Sequence, residues 1–325
     1  MPANSTFTEI VSTTLREHPS VFFDNVSNNN ALLNRINKRG NLQLVDGGYE
    51  IVEPLDYAEN STAQWYSGYD TLNVSASDVL SAANFAWKQL AVHVTASGLQ
   101  IRQNSGKNQI MNLVKARIKN AMRTFTNTLG TAVYNDGLTA SQIGGLQFLV
   151  ADAGTGTVGG INSTDYTFWR NAVQSAASPL DGGSSITLSA TTMEGFMLQL
   201  YTALCRGMDM PDLIVASNNY YNFYEASQTS IKRYADNDMA QGGFLSLKYK
   251  KADVIFDGGT LGSGIPTSHM YFLNTDFLKL KVHKDANMEQ LDQQKSINQD
   301  AVVIPVIWQG NLTVSNRSLQ GVAKA

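Results

Sequence analysis

The residues whose types and spacing could carry chemistry are few, and the first is a glycine run. Gly154-x-Gly156-x-x-Gly159 matches by letter the fingerprint that cradles a dinucleotide pyrophosphate. That chemistry needs a strand before the run and a helix opening inside it, so that backbone N–H groups and the helix dipole face the phosphates. Leu149-Val150 can end a strand, but Gly160-Ile161-Asn162-Ser163-Thr164-Asp165 does not continue as a helix, and the run reads as a turn. The four histidines, His18, His93, His269 and His283, have no second histidine or carboxylate at ligand spacing. Cys205 is the single cysteine, which excludes an intrachain disulfide and a thiolate cluster; within Leu204-Cys205-Arg206 on a helix it reads as a core residue rather than a nucleophile. There is no Gly-x-Ser-x-Gly elbow and no Walker loop, and no carboxylate pair is marked as acid and base. The expectation is a non-enzyme with no catalytic residue, no cofactor and no metal.

What the residues do offer is contact chemistry. Between Asn41 and Trp87 every charge is negative: Asp46, Glu50, Glu53, Asp56, Glu59, Asp70 and Asp78. From 101 to 135 every charge is positive: Arg102, Lys107, Lys115, Arg117, Lys119 and Arg123. Segregation of this kind fits two unrelated solvated faces, or an acidic arm of one subunit lying against a basic region of its neighbour. A further use for the basic face is contact with phosphates. On the second reading, reversing Glu50, Glu53 and Glu59 to Lys blocks assembly and leaves the fold intact. The acidic segment also holds Trp65-Tyr66-Ser67-Gly68-Tyr69, whose aromatics either pack within the chain or anchor a partner.

The elements that must position these groups start from one helix. Ile110, Val114, Ile118, Ala121, Phe125, Leu129 and Ala132 repeat at helical period across Lys107–Tyr134, between a possible Ser105 cap and the stop Asn135-Asp136-Gly137. At about 1.5 Å per residue this is a rod of roughly 40 Å. Its lysines and arginines exclude a membrane span, and the absence of a heptad partner argues against a coiled coil; it reads as a spine.

Before it, a short helix is expected over 5–17 and a helical turn over 31–36, in a segment too poor in apolar residues for a core of its own. Residues 41–87 alternate with period two, through Leu42, Leu44, Tyr49 and Ile51 outward and Leu72, Val74 and Ala76 on the return. They read as one long two-stranded arm, with Pro54 at an edge. An isolated hairpin is marginal in water, so this arm needs a surface to lie on. After the spine, an α/β pattern is expected: a helix through Met193–Leu204, a buried strand at 212–217, a helix over 218–234, strands at 244–249, 252–256, 270–273 and 278–282, a hairpin tip over 284–299, and a last extended run at 301–314.

Apolar residues make up 43% and charged residues only 16% of the 325, with a net charge of −3. So little charge suits either a surface covered by partners or one that is polar and uncharged. There is no global footprint for nucleic acid or anionic membrane. No apolar run reaches membrane length, and Met1-Pro2-Ala3-Asn4-Ser5 lacks the regions of a signal peptide, so the expected setting is the cytoplasm or something assembled there.

Taken in order, these parts resemble the major capsid protein of tailed bacteriophages. Gly47-Gly48, Pro54-Leu55-Asp56-Tyr57, Trp65-Tyr66-Ser67-Gly68-Tyr69-Asp70, Trp87-Lys88-Gln89 and Ser97-Gly98-Leu99 look like that family's hairpin and its return. Gln103-Asn104-Ser105-Gly106 and Tyr134-Asn135-Asp136-Gly137 look like its brackets around the spine. Gly144-Gly145-Leu146, Phe168-Trp169-Arg170-Asn171, Pro211-Asp212-Leu213-Ile214, Tyr271-Phe272-Leu273-Asn274-Thr275, Asn311-Leu312-Thr313 and Ser315-Asn316-Arg317-Ser318-Leu319-Gln320-Gly321 continue the match over nearly the whole chain.

The resemblance implies an α+β fold of the Hong Kong 97 type. Its parts would be an N-terminal arm (1–40), an extended β-hairpin loop (41–87), a peripheral domain (88–185) with the spine helix at 107–134, an axial domain (186–273), a hairpin return to the peripheral domain (274–300) and a C-terminal strand of the axial domain (301–325). It implies pentamers and hexamers of the chain closing into an icosahedral shell around double-stranded DNA, held non-specifically on the inner face. The setting would be the virion, assembled in the host cytoplasm, with portal, scaffolding or decoration proteins as further partners and no membrane. The residues expected at subunit interfaces are Glu50, Glu53, Glu59, Trp65, Tyr66, Tyr69, Lys115, Arg117, Lys119 and Arg123. Some relatives crosslink through a lysine of the extended loop; here that loop has none before Lys88. The rival readings are an encapsulin-like cellular compartment, which shares the fold, and a nucleotide-binding enzyme built on 154–160.

Overall fold

The computed structural model describes residues 30–98, 121–228, 246–257, 264–291, 294–295 and 300–325. The helix expected over 5–17 and the first half of the spine lie outside them. Within them, residues 121–132 are helical (α2 below), the C-terminal part of the spine. No helix among the described residues is long and apolar enough to cross a membrane.

Two sheets organise the chain. The first is five-stranded and centred on β14 (Ala301–Val314), the longest strand. On one side β14 pairs antiparallel with β4 (Lys88–Ser97); on the other it meets β12 (Leu278–Gln290) and then β13 (Gln294–Lys295). β1 (Leu42–Val45) adds to β12 in parallel. Along β12, Leu278, Leu280 and Val282 are buried while Lys279, Lys281 and His283 point to the other face, the period-two alternation of a strand.

The second sheet has six strands in the order β7 (Ala172–Ser175), β15 (Gly321–Lys324), β11 (His269–Leu273), β8 (Leu213–Ala216), β10 (Ala252–Phe256), β9 (Ser246–Tyr249). β8 reads as an unbroken apolar run because both its faces are covered. Ile214 and Ala216 join the core under α3 (Met193–Ala203) and α4 (Asn218–Ser227), whereas Leu213 and Val215 face the larger core shared with the first sheet. The sheet reaches back across the expected boundary at 185–186 to take in β7. The C-terminal run, expected as one strand over 301–325, divides as well: β14 serves the first sheet and β15 the second. β12 runs on to Gln290, into the stretch expected to be a tip, with its register shifted between Val282 and Asn287.

The segment preceding residue 41 is expected to lack a core of its own, and its described part joins the core of the rest of the chain: in α1 (Ala31–Lys38), Ala31, Leu32, Leu33 and Ile36 are buried. Asn30 caps this helix by accepting from Leu33 N–H at 3.1 Å, and its side-chain amide donates to Gly130 O at the end of α2. The long arm of 41–87 is also shorter than expected, since β1 belongs to the first sheet and only β2 (Ile51–Asp56) and β3 (Leu80–Phe85) pair as a hairpin. Leu72, Val74 and Ala76 form no strand.

Buried charge ties the parts. Asp212, at the entry to β8, is 4% exposed. It accepts from Arg35 Nε (3.1 Å), Arg39 Nη2 (3.0 Å), Thr275 N–H (2.7 Å) and Thr275 Oγ1 (2.7 Å). Arg35 also reaches Asp253 at 3.3 Å. Arg317, fully buried between β14 and β15, donates to Leu149 O (2.7 Å), Ser163 Oγ (3.1 Å) and Trp169 O (3.2 Å). Burial pushes its guanidinium down to about 10, still a cation at neutral pH. The amide of Gln320 pairs with both N–H and C=O of Asn274, at 3.0 Å each, as a backbone strand would.

Removing a partner from a buried ion pair strands the other charge and costs about 3–5 kcal/mol. Asp212→Ala is therefore expected to lower stability in urea unfolding by about that much. A loss below about 1 kcal/mol would show that α1 is not anchored through this carboxylate.

Candidate assembly surface

The acidic hairpin is built in two parts of opposite character. Its root is fastened. Glu53 lies on the inward face of β2 with Ile51 and Leu55, and is 2% exposed. Its carboxylate meets Lys281 Nζ at 2.8 Å, Thr313 Oγ1 at 2.8 Å and Lys279 Nζ at 3.6 Å, so the hairpin is clamped onto β12 and β14. Lys281 also donates to Val52 O. Tyr57 stacks on Phe168 at 5.3 Å, and Trp87 Nε1 donates to Gly48 O at the Gly47-Gly48 bend.

The glycine run supplies the last fastening. Thr157–Val158 and Ile161–Asn162, β5 and β6, form a small hairpin whose turn is Gly159-Gly160, at φ +60° and +78°. Gly159 O accepts from Asn84 N–H of β3, and a Cβ on Gly159 would meet the Ala83 Cβ at 2.8 Å. The letters of a dinucleotide fingerprint here serve a close backbone approach, with a hairpin where that fingerprint needs a helix.

The tip is different. Residues 58–78 form no regular strand and are held by local bonds: Ser67 N–H to Asp70 Oδ2, Asp70 N–H to Ser67 O, and Gln64 Nε2 to Thr71 O. Trp65 and Tyr69 are as exposed as free side chains, at 103% and 105%, and Tyr66 stands at 65%. The outward face of the root continues the apolar surface with Val52, Pro54, Leu80 and Ala82, which share one side of the β2–β3 ladder. Apolar surface gathered on one projection marks an interaction site.

Of the residues expected at interfaces, the structure gathers Trp65, Tyr66 and Tyr69 on the tip, with Glu59 exposed near them and Glu50 half-buried at the root. Glu53 is corrected: its charge is committed inside the chain, so its reversal would damage the fold. Arg123 is exposed on α2; Lys115, Arg117 and Lys119 lie outside the described residues. Lys279 and Lys281 were missed. Their alternation with Leu278, Leu280 and Val282 puts them on one face, but nothing in that pattern says a carboxylate from residue 53 meets them.

Cys205 lies exposed just beyond α3, not in the core, and burial of its surroundings pushes its thiol up. His93 is exposed on β4. No group of three His, Cys, Asp or Glu side chains converges to hold a metal among the described residues.

No family model and no curated protein sequence matches the chain. Solved structures do. The capsid asymmetric unit of cyanophage A-1(L) aligns with a TM-score of 0.61 at 16% identity, covering 88% of this chain and 90% of that one. The capsid of a native GTA particle aligns at 0.58 and 12% identity, covering 88% of each chain. The procapsid of satellite phage P4, a structure that includes a size determination protein, aligns at 0.51 and 9% identity, covering 94% of this chain and 89% of that one. The chain thus has the α+β, Hong Kong 97-type fold of phage capsid proteins.

Glu53→Ala is expected to cost about 3–5 kcal/mol in urea unfolding and to speed proteolysis within 57–79, whereas Glu59→Ala should stay within about 0.5 kcal/mol. Equal effects from the two would remove the distinction between root and tip.

Proposed function

We propose that this chain is the structural shell subunit of a tailed-phage-type capsid and has no catalytic role. The observation that carries the proposal is the hairpin: a root fastened by a buried ion pair, holding out aromatics that the chain leaves in solvent. Large aromatics in that state are the usual anchors of a protein interface. In a shell, the hairpin of one subunit overlaps the next, and copies close as pentamers and hexamers into an icosahedron enclosing double-stranded DNA. The likeness in fold to phage capsid structures over most of both chains supports this reading.

DNA contact would be non-specific and local, since the net charge is −3; Arg123 is one outward-facing cation on the spine. The division into an arm, extended loop, peripheral domain and axial domain belongs to this proposal, as do the virion setting and assembly in the host cytoplasm. The P4 procapsid structure includes a size determination protein, and a scaffold-like helper, a portal or a decoration protein is a proposed partner here too.

Negative-stain electron microscopy with light scattering on the purified chain is expected to show closed shells or five- and six-membered rings, if necessary after co-expression with the neighbouring genes. Trp65→Ala with Tyr69→Ala should reduce the assembled fraction at least tenfold and leave thermal unfolding of the subunit unchanged. A chain that stays monomeric even with those genes would overturn the proposal.

A further inference from the structure

Four Asp-Gly dipeptides occur in the chain: Asp46-Gly47, Asp136-Gly137, Asp181-Gly182 and Asp257-Gly258. This pairing carries a chemistry of its own. The main-chain nitrogen of the glycine attacks the side-chain carboxyl carbon of the aspartate, an approach that glycine leaves open because it has no Cβ. A cyclic imide forms as one water departs, its hydroxyl from the carboxyl group in its acid form and its hydrogen from the amide. Water then opens the ring. Opening at the side-chain carbonyl restores aspartate, and opening at the main-chain carbonyl leaves the glycine joined through the side chain, an isoaspartyl linkage. No enzyme or cofactor takes part; the step needs only a carboxyl group and an amide that are free to meet.

The fold ties up three of the four. Asp181 accepts from Gly183 N–H at 3.0 Å and from Gln199 Nε2 at 2.7 Å, and Gly182 N–H itself donates to Pro179 O at 3.0 Å. Asp136 accepts from Leu138 N–H at 3.0 Å, and Gly137 is covered by Phe148, whose ring a Cβ on that glycine would meet at 2.7 Å. Asp257 accepts from the Tyr134 hydroxyl. Asp46 differs. Its side chain is 87% exposed and meets only the Lys284 ammonium, at 3.6 Å, an exposed pair of little strength. Among the described residues, no hydrogen bond holds its carboxylate or the Gly47 N–H. Gly47 also has room to turn, since a Cβ there would meet nothing nearer than His283 Nε2 at 3.7 Å.

We propose that Asp46 is a site of spontaneous isoaspartate formation, selected from the four dipeptides by the fold. The linkage lies where the chain leaves β1 for the hairpin, and it lengthens the backbone there by one carbon, about 1.5 Å of contour. Beyond it Trp87 Nε1 holds Gly48 O and Lys281 holds Glu53, so the bend between these points and β1 takes up the added length. The inference concerns the single chain and does not depend on the shell reading.

The test ages the full-length chain at neutral pH and physiological temperature, folded and, in parallel, unfolded in guanidinium. Endoproteinase Asp-N cuts before aspartate but not before isoaspartate, so mass spectrometry of the digest reads conversion at each dipeptide. In the folded chain, the uncut Val45–Asp46 junction is expected to accumulate at least tenfold faster than the junctions before Asp136, Asp181 and Asp257. In guanidinium the four should convert at similar rates. Asp46→Glu should abolish the signal, and Asp46→Asn, which reaches the same imide by losing ammonia, should yield aspartate and isoaspartate at that position. A folded chain in which another of the four converts as fast as Asp46, or in which none converts while all do in guanidinium, would overturn the proposal. So would a preference for Asp46 that persists in guanidinium, since neighbouring sequence and not the fold would then set it.

Discussion

The structure depends on one carboxylate that has been taken out of water. An ionised side chain in that position must be matched by cations and donors or the fold is not stable. Asp212 is matched from two sides: by Arg35 of α1 and Arg39 at its C-terminal cap, and by the N–H and hydroxyl of Thr275. The carboxylate and its partners belong to three different parts of the chain. Asp212 opens the central strand of the six-stranded sheet, Thr275 sits where the chain leaves that sheet for the first, and α1 is the segment that enters the core under the spine. Satisfying one charge therefore settles how the two sheets meet and where the chain enters.

Buried charge recurs wherever segments distant in sequence must join. Glu53 fixes the hairpin root to β12 and β14, and Arg317 fixes the β14–β15 connection to the loops around Leu149, Ser163 and Trp169. Apolar packing is non-directional and tolerates sliding, whereas a buried ion or fork of donors accepts few geometries. The hairpin shows the consequence. Its root is held in one place, and its tip, held only by local turns, keeps its aromatics available. On the proposed shell reading, a subunit that meets identical copies in a repeated way needs that combination of fixed direction and uncovered anchor.

Much of this was legible from residue pattern. Helices at Met193–Ala203 and Asn218–Ser227 and the strands around Leu213, Val254, Tyr271 and Leu280 follow from periodicity and from apolar runs of strand length. The aromatic cluster at Trp65, Tyr66 and Tyr69 was marked by composition alone. What went unread shares a cause. β1 alternates as a hairpin strand would, but alternation does not name a partner, and β12 took it. Residues 31–36 read as a helical turn, but nothing in their pattern says that Arg35 meets Asp212 and Asp253. Cys205 reads as helical core, but the helix ends at Ala203, two residues before it.

The sequence by itself determined the local elements, the segregation of charge and the absence of motifs for familiar catalysis, because these depend on residues near one another in the chain. Tertiary structure alone decided which acids were spent inside and which were left outside. Glu53 and Glu59 are both acids of one hairpin, yet one is clamped between two lysines and a threonine while the other faces solvent. The lysines that make the difference arrive from more than two hundred residues away, and only the meeting of β2 with β12 and β14 brings them together.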